Sequence, residues 1–192
     1  MTEFQKNNAT QPYVCSYKRA FILDNWLRKL LQNPAKVVGK YIKEGDTVID
    51  LGCGPGYFTI PMAKMIGKQG KIIAVDLQKE MLAKLKKKAT AKNVTDRITY
   101  HLCEKEHINL NLNQKADFIL AYYMVHETPN PDIFFKEAKS LLKTGGKFLI
   151  VEPKFHVNKE KFEKMVVLAM QAGFTVLEFP GNKGGWSVLL TI

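Results

Sequence analysis

The stretch that most restricts the fold is Asp50-Leu51-Gly52-Cys53-Gly54-Pro55-Gly56, reached directly from the apolar run Thr47-Val48-Ile49-Asp50-Leu51. A short continuous apolar run ending in glycines reads as a buried parallel strand. The glycines let the backbone turn sharply and approach a ligand closely, because no side chain intervenes. A helix predicted over 57–66 follows at once, and its free amides add a partial positive end. Asp76 closes the next predicted strand, where a carboxylate accepts hydrogen bonds from ribose hydroxyls. Strand, glycine loop, helix and acid together point to a nucleoside-containing ligand with a free ribose diol.

The order of elements extends this start. Pro34 opens a short helix to about Ile42, before the strand over 47–51. Further strands are predicted over 71–75, 98–102, 116–121 and 147–151, with helices over 79–91, 131–142 and 159–172. Asn130-Pro131 and Asn158 mark helix starts, while Gly145-Gly146 reads as a helix stop. Gly181-Asn182-Lys183-Gly184-Gly185 is too short for a crossover helix, so the strands over 175–179 and 186–192 form an antiparallel hairpin. The expected class is α/β: a Rossmann-like, doubly wound, mostly parallel seven-stranded sheet with a C-terminal antiparallel hairpin and helices on both faces. At 192 residues and 46% hydrophobic, the chain suits one domain of this size. The core domain is read as 34–192, preceded over 1–33 by a tail and a helical lid or cover.

The glycine spacing is Gly-x-Gly-x-Gly, with Asp50 two residues before the first glycine, and not the dinucleotide Gly-x-Gly-x-x-Gly. Here the chain resembles the class I S-adenosylmethionine (SAM)-dependent methyltransferases. Val48 to Gly56 is similar to their first motif and Val75-Asp76 to their second, while Leu141 to Lys147 resembles their junction into strand five. The resemblance implies SAM as cofactor, lying over Asp50, Gly52, Cys53, Gly54 and Gly56. It implies Asp76 on both ribose hydroxyls, Leu77 on adenine and Glu104 facing the adenine amine. Ala121 and Tyr122 match the segment beside the sulfonium.

SAM brings an activated methyl group, so the protein must mainly align an acceptor and exclude water. A base is needed where the acceptor arrives protonated. His126-Glu127, just past strand four, is the candidate catalytic pair, with Glu127 tuning an imidazole that titrates near neutrality. Tyr123 and His156 are candidate substrate contacts. The segment Ala121-Tyr122-Tyr123-Met124 lacks the Asn/Asp-Pro-Pro-aromatic pattern of base-amine methylation and the Pro-Cys of pyrimidine C5 methylation. An aromatic amphipathic stretch over 13–31 offers Tyr17 and Trp26 as a lid, and Arg28 for the cofactor carboxylate.

The expected partner is therefore a small-molecule methyl acceptor. The net charge of +11, concentrated in lysines over 79–92, keeps RNA or lipid as an alternative that is not favoured, since no aromatics interleave with the lysines. A nicotinamide-dependent oxidoreductase is disfavoured by the loop spacing and the closing hairpin. A non-catalytic SAM-binding protein is the remaining alternative. Three scattered cysteines, Cys15, Cys53 and Cys103, form neither a disulfide framework nor a zinc site, and no metal is expected. The polar start and the lack of a long apolar run suggest a cytoplasmic protein without a transmembrane segment.

Overall fold

The computed structural model describes residues 33–182 and 184–192. The stretch carrying Tyr17, Trp26 and Arg28 lies outside them. The strands are β1 (Thr47–Leu51), β2 (Lys71–Asp76), β3 (Ile98–Leu102), β4 (Ala116–Tyr122), β5 (Leu142–Pro153), β6 (Thr175–Glu178) and β7 (Gly185–Thr191). The helices are α1 (Pro34–Val38), α2 (Thr59–Met65), α3 (Lys79–Ala91), α4 (Pro131–Leu141) and α5 (Lys159–Gln171). One sheet runs in the order β3-β2-β1-β4-β5-β7-β6. Pairs from β3 to β5 are parallel, and β7 is antiparallel to both β5 and β6. This is the predicted α/β architecture, closing hairpin included.

Alternation along the strands builds two cores. Val48, Ile72, Phe118 and Leu149 meet Val38, Met62 and Leu85 from α1, α2 and α3 on one face. Ile49, Ile73, Ile119 and Ile150 meet Phe135 and Val166 from α4 and α5 on the other. All five residues of β1 are buried, as a strand covered on both faces requires. The strand order reverses between β1 and β4, which opens a crevice at their carboxyl ends.

Two helix starts form as predicted. Asn130 Oδ1 accepts from the Ile133 N–H at 3.2 Å, with Pro131 in the first turn, and Asn158 Oδ1 accepts from the Lys161 N–H at 2.9 Å. Several boundaries differ from expectation, among them the start of β5, which begins at Leu142 and not at Lys147. Helix α1 stops at Val38, because Tyr41 leaves the helical path to stack on Phe118 at 6.0 Å and donate its hydroxyl to Glu178 at 2.7 Å. Helix α2 starts at Thr59, so Tyr57 and Phe58 belong to the loop. Helix α4 ends at Leu141, before Gly145-Gly146, because Leu142 is already extended and pairs with Ala116. The glycines instead serve an irregularity in β5, whose register shifts between Ala116 and Phe118; Gly145, at φ 75°, donates its N–H to the Ile192 carbonyl.

Candidate active site

The crevice holds a cavity whose floor is the glycine loop. Gly52, Gly54 and Gly56 have φ of 68°, 51° and 90°, in the left-handed region where glycine carries no penalty. Their surroundings separate their roles. A Cβ on Gly54 would meet no atom within 4 Å, so bare backbone faces the cavity. At Gly52 that Cβ would stand 2.8 Å from the Cβ of Met124, a cavity-wall residue. At Gly56 it would stand 2.2 Å from Leu85 Cδ1 of α3. Gly56 thus serves helix packing and does not line the cavity, contrary to its predicted place among cofactor contacts.

The loop is tied down by its own amides. The Cys53 N–H reaches the Val75 carbonyl at 3.0 Å, and the Gly54 N–H donates to Asp76 Oδ2 at 2.8 Å. Asp76 Oδ1 accepts from the Gln78 N–H at 2.8 Å. Both halves of the motif are therefore one unit: the strand-two acid clamps the glycine loop and keeps lone pairs for a ligand. Burial pushes the Asp76 carboxyl above its usual range, against the pull of the Gln78 and Gly54 N–H groups. Asp50, also on the cavity wall, accepts the Thr59 hydroxyl at 2.6 Å and so joins β1 to α2. The expected anion-attracting helix end is not at the loop, since α2 begins only at Thr59.

Leu77 and Glu104 line the cavity beyond Asp76, and Cys53 lines it from the loop. Burial raises the Cys53 thiol well above its usual range and pushes Cys103, on the same wall, up to about 11. Cys103 and the segment after it are held from α4, where Glu137 accepts the Ile108 N–H and pairs with His107 Nδ1 at 3.0 Å. At the end of β4, Tyr122 faces the cavity, whereas Ala121 is buried in the core on the opposite face. Alternation along the strand excludes Ala121 from the wall assigned to it.

One side of the cavity is aromatic. Tyr57, Phe58, Tyr122 and Tyr123 all line the cavity. Phe58 and Tyr122 rings lie 4.3 Å apart, and Tyr122 and Tyr123 rings 4.4 Å apart. Tyr123 sits at φ 61°, with its N–H donated to the Val151 carbonyl at 2.7 Å. Such a conformation is uncommon for a tyrosine and throws its ring onto the rim. Tyr57, Phe58 and Met124 were missed in the sequence, the first two because they were assigned to a helix.

Glu127 lines the cavity; His126 and His156, whose rings stack at 5.8 Å, are not among its lining residues. The carboxylate that holds His126 is not Glu127: His126 Nδ1 is hydrogen-bonded to Glu152 Oε2 at the end of β5. Burial alone would lower the His126 pKa, but the bonded Glu152 carboxylate, with Glu127 adding to it, holds it above the ordinary 6.5.

A sheet of this order, with a bare-backbone cradle and a clamped acid at the carboxyl ends of β1 and β2, defines a SAM-dependent methyltransferase domain. The methyltransferase domain family profile matches residues 42–185, and the chain belongs to that family. It is 32% identical over 111 residues to the demethylmenaquinone methyltransferase of Lactobacillus johnsonii, covering 58% of this chain and 45% of that protein. It is 28% identical over 106 residues to the arsenite methyltransferase of Halobacterium salinarum, covering 55% of this chain and 27% of that one. The chain thus spans less than half the length of these two curated relatives. A SAM-dependent methyltransferase from Aquifex aeolicus superimposes with a TM-score of 0.82 at 26% identity, over 93% of this chain and 100% of that one. The cofactor is SAM. Among the described residues, no helix is long and apolar enough to cross a membrane.

Proposed function

We propose that this protein transfers the methyl group of SAM to a small aromatic molecule bearing a dissociable proton. The observation that carries the reading is the wall of Tyr57, Phe58, Tyr122 and Tyr123 at the acceptor end of the cavity. Flat π surfaces of this kind favour a planar acceptor, which stacks on them or meets their edges. The name of the Lactobacillus johnsonii relative, a demethylmenaquinone methyltransferase, fits such an acceptor. An arsenite acceptor, as in the name of the Halobacterium relative, suits this cavity less well. The thiolate is the ligand form of cysteine, and burial keeps both Cys53 and Cys103 as thiols.

In this reading Gly52 and Gly54 would leave room for the methionine part of the cofactor, Asp76 would accept from its ribose hydroxyls, and Leu77 and Glu104 would hold the adenine. Bound there, the cofactor supplies a methyl carbon whose bond to positive sulfur breaks, with its electrons left on sulfur, as the acceptor bonds to that carbon. The aromatic wall orients the acceptor and excludes water. His126, on the turn between the wall residues Met124 and Glu127, takes up the acceptor proton.

Asp76→Ala removes a charge-assisted contact to two hydroxyls, worth about 1.5–3 kcal/mol. Calorimetry should show SAM affinity falling roughly 10- to 150-fold. Unchanged affinity in a folded variant would count decisively against the site.

The test of function is a transfer assay with methyl-labelled SAM, offered separately phenols and quinols, arsenite, RNA and lipid extracts. Label entering an aromatic product supports the reading. Label entering only RNA or arsenite overturns it. Tight SAM binding without transfer to anything would instead mean a binding protein.

A further inference from the structure

We propose that Glu152 is a positioning residue: it holds the His126 imidazole by Nδ1 and leaves Nε2 as the nitrogen that takes up the acceptor's proton. The proposal rests on the small-acceptor reading above and adds to it a residue that lies outside the cavity wall.

Glu152 is fully buried at the carboxyl end of β5. A carboxylate withdrawn from water is costly unless its oxygens find donors. Here both go to one three-residue turn after β4, Val125–Glu127. Oε1 accepts the Val125 N–H at 2.9 Å, and Oε2 is bonded to His126 Nδ1. The turn is flanked by Met124, which packs on Gly52 of the cofactor loop, and it ends in Glu127 on the cavity wall. The bond to the Val125 N–H fixes the backbone of the turn. The second oxygen instead selects one ring nitrogen of a partly exposed histidine.

An acceptor-only carboxylate at Nδ1 keeps the hydrogen on that nitrogen whether the ring is neutral or charged. Nε2 is then the only ring nitrogen able to gain a proton. The groups facing the ring are Glu152 from β5, Glu127 from the same turn and His156 from the segment after β5. The two carboxylates favour the protonated ring, which suits a base that must hold a proton until solvent removes it. His126 does not itself line the cavity, but Met124 and Glu127, on either side of it in the turn, do.

The experiment combines nitrogen-15 NMR of labelled histidine with pH–rate profiles for wild type and Glu152→Gln. In wild type, neutral His126 should carry its hydrogen on Nδ1. In Glu152→Gln the imidazole midpoint should drop by about one pH unit, the size expected on losing an adjacent opposite charge. The acid limb of kcat/KM should move down with it, while SAM affinity stays within about twofold. A neutral wild-type ring protonated on Nε2 overturns the proposal, and so does a Glu152→Gln midpoint and acid limb equal to wild type. If Glu152→Gln fails to fold, the wild-type tautomer decides alone. The NMR needs no acceptor, so the expected ring behaviour with no methyl transfer to any aromatic would defeat the acceptor reading by itself.

Discussion

His126→Ala is expected to lower turnover by about 10²–10⁴ while leaving SAM affinity nearly intact, the range typical of a lost general base. The separation follows from position. His126 stands on the turn after β4, between the cavity-lining Met124 and Glu127, whereas the contacts proposed for the cofactor come from the ends of β1 and β2. The wild-type rate should fall as the pH drops through the His126 pKa. That limb should lie above 6.5, because the bonded Glu152 outweighs burial and holds the pKa up. The same substitution strands a buried carboxylate, a loss of about 3–5 kcal/mol when one member of a buried pair is removed. Rates must therefore be expressed per folded molecule, from circular dichroism on the same samples. Equal turnover per folded molecule in variant and wild type, on a verified acceptor, would sink the catalytic role.

Gly54→Val is expected to weaken SAM binding by about 10²-fold or more because its side chain takes cofactor space, and separately to destabilise the loop. At φ 51° a β-branched residue is strained, by about 1–3 kcal/mol for such conformations. Its side chain also projects into space that no protein atom occupies within 4 Å of the Cβ, space assigned to the cofactor. Gly56→Val offers the contrast. Its Cβ would overlap Leu85, so it should lower the unfolding midpoint of the ligand-free protein more than Gly54→Val does. Calorimetric titration with SAM, paired with urea unfolding, checks both. Normal SAM affinity in Gly54→Val would mean that the loop is not the cofactor cradle.

Much of this was legible in residue order because it depends on local chemistry. The run Val48 to Leu51 is apolar except at Asp50, and a strand covered on both faces needs that continuity. Asn130-Pro131 and Asn158 cap their helices through side-chain oxygens that reach only a few residues along. The closing hairpin followed from a connection too short to hold a helix. Asp76 was placed by its position at the end of β2, and its bonds to Gly54 and Gln78 are the local consequence.

What misled was equally physical. Tyr57 and Phe58 read as the start of a helix, yet burial against Tyr122 drew Phe58 into the cavity wall. Ala121 and Gly56 fell inside the right motifs but face packed protein, since a motif fixes where the backbone goes and alternation and neighbouring helices decide what each residue meets. Glu127, adjacent to His126 in sequence, was the natural partner to expect. Glu152 took that place from the next strand.

The sequence by itself determined the sheet class, the glycine cradle and the acid that clamps it, because strand burial, turn geometry and capping act over a few residues. The tertiary structure alone decided which glycine opens to the cavity, how the aromatic wall assembles and which carboxylate holds His126. Those depend on parallel β4 and β5 lying side by side, with Tyr122 opposite Val151, which carries Glu152 to the turn holding His126. Contacts between strands far apart in the chain are set by sheet register, and no local pattern encodes them.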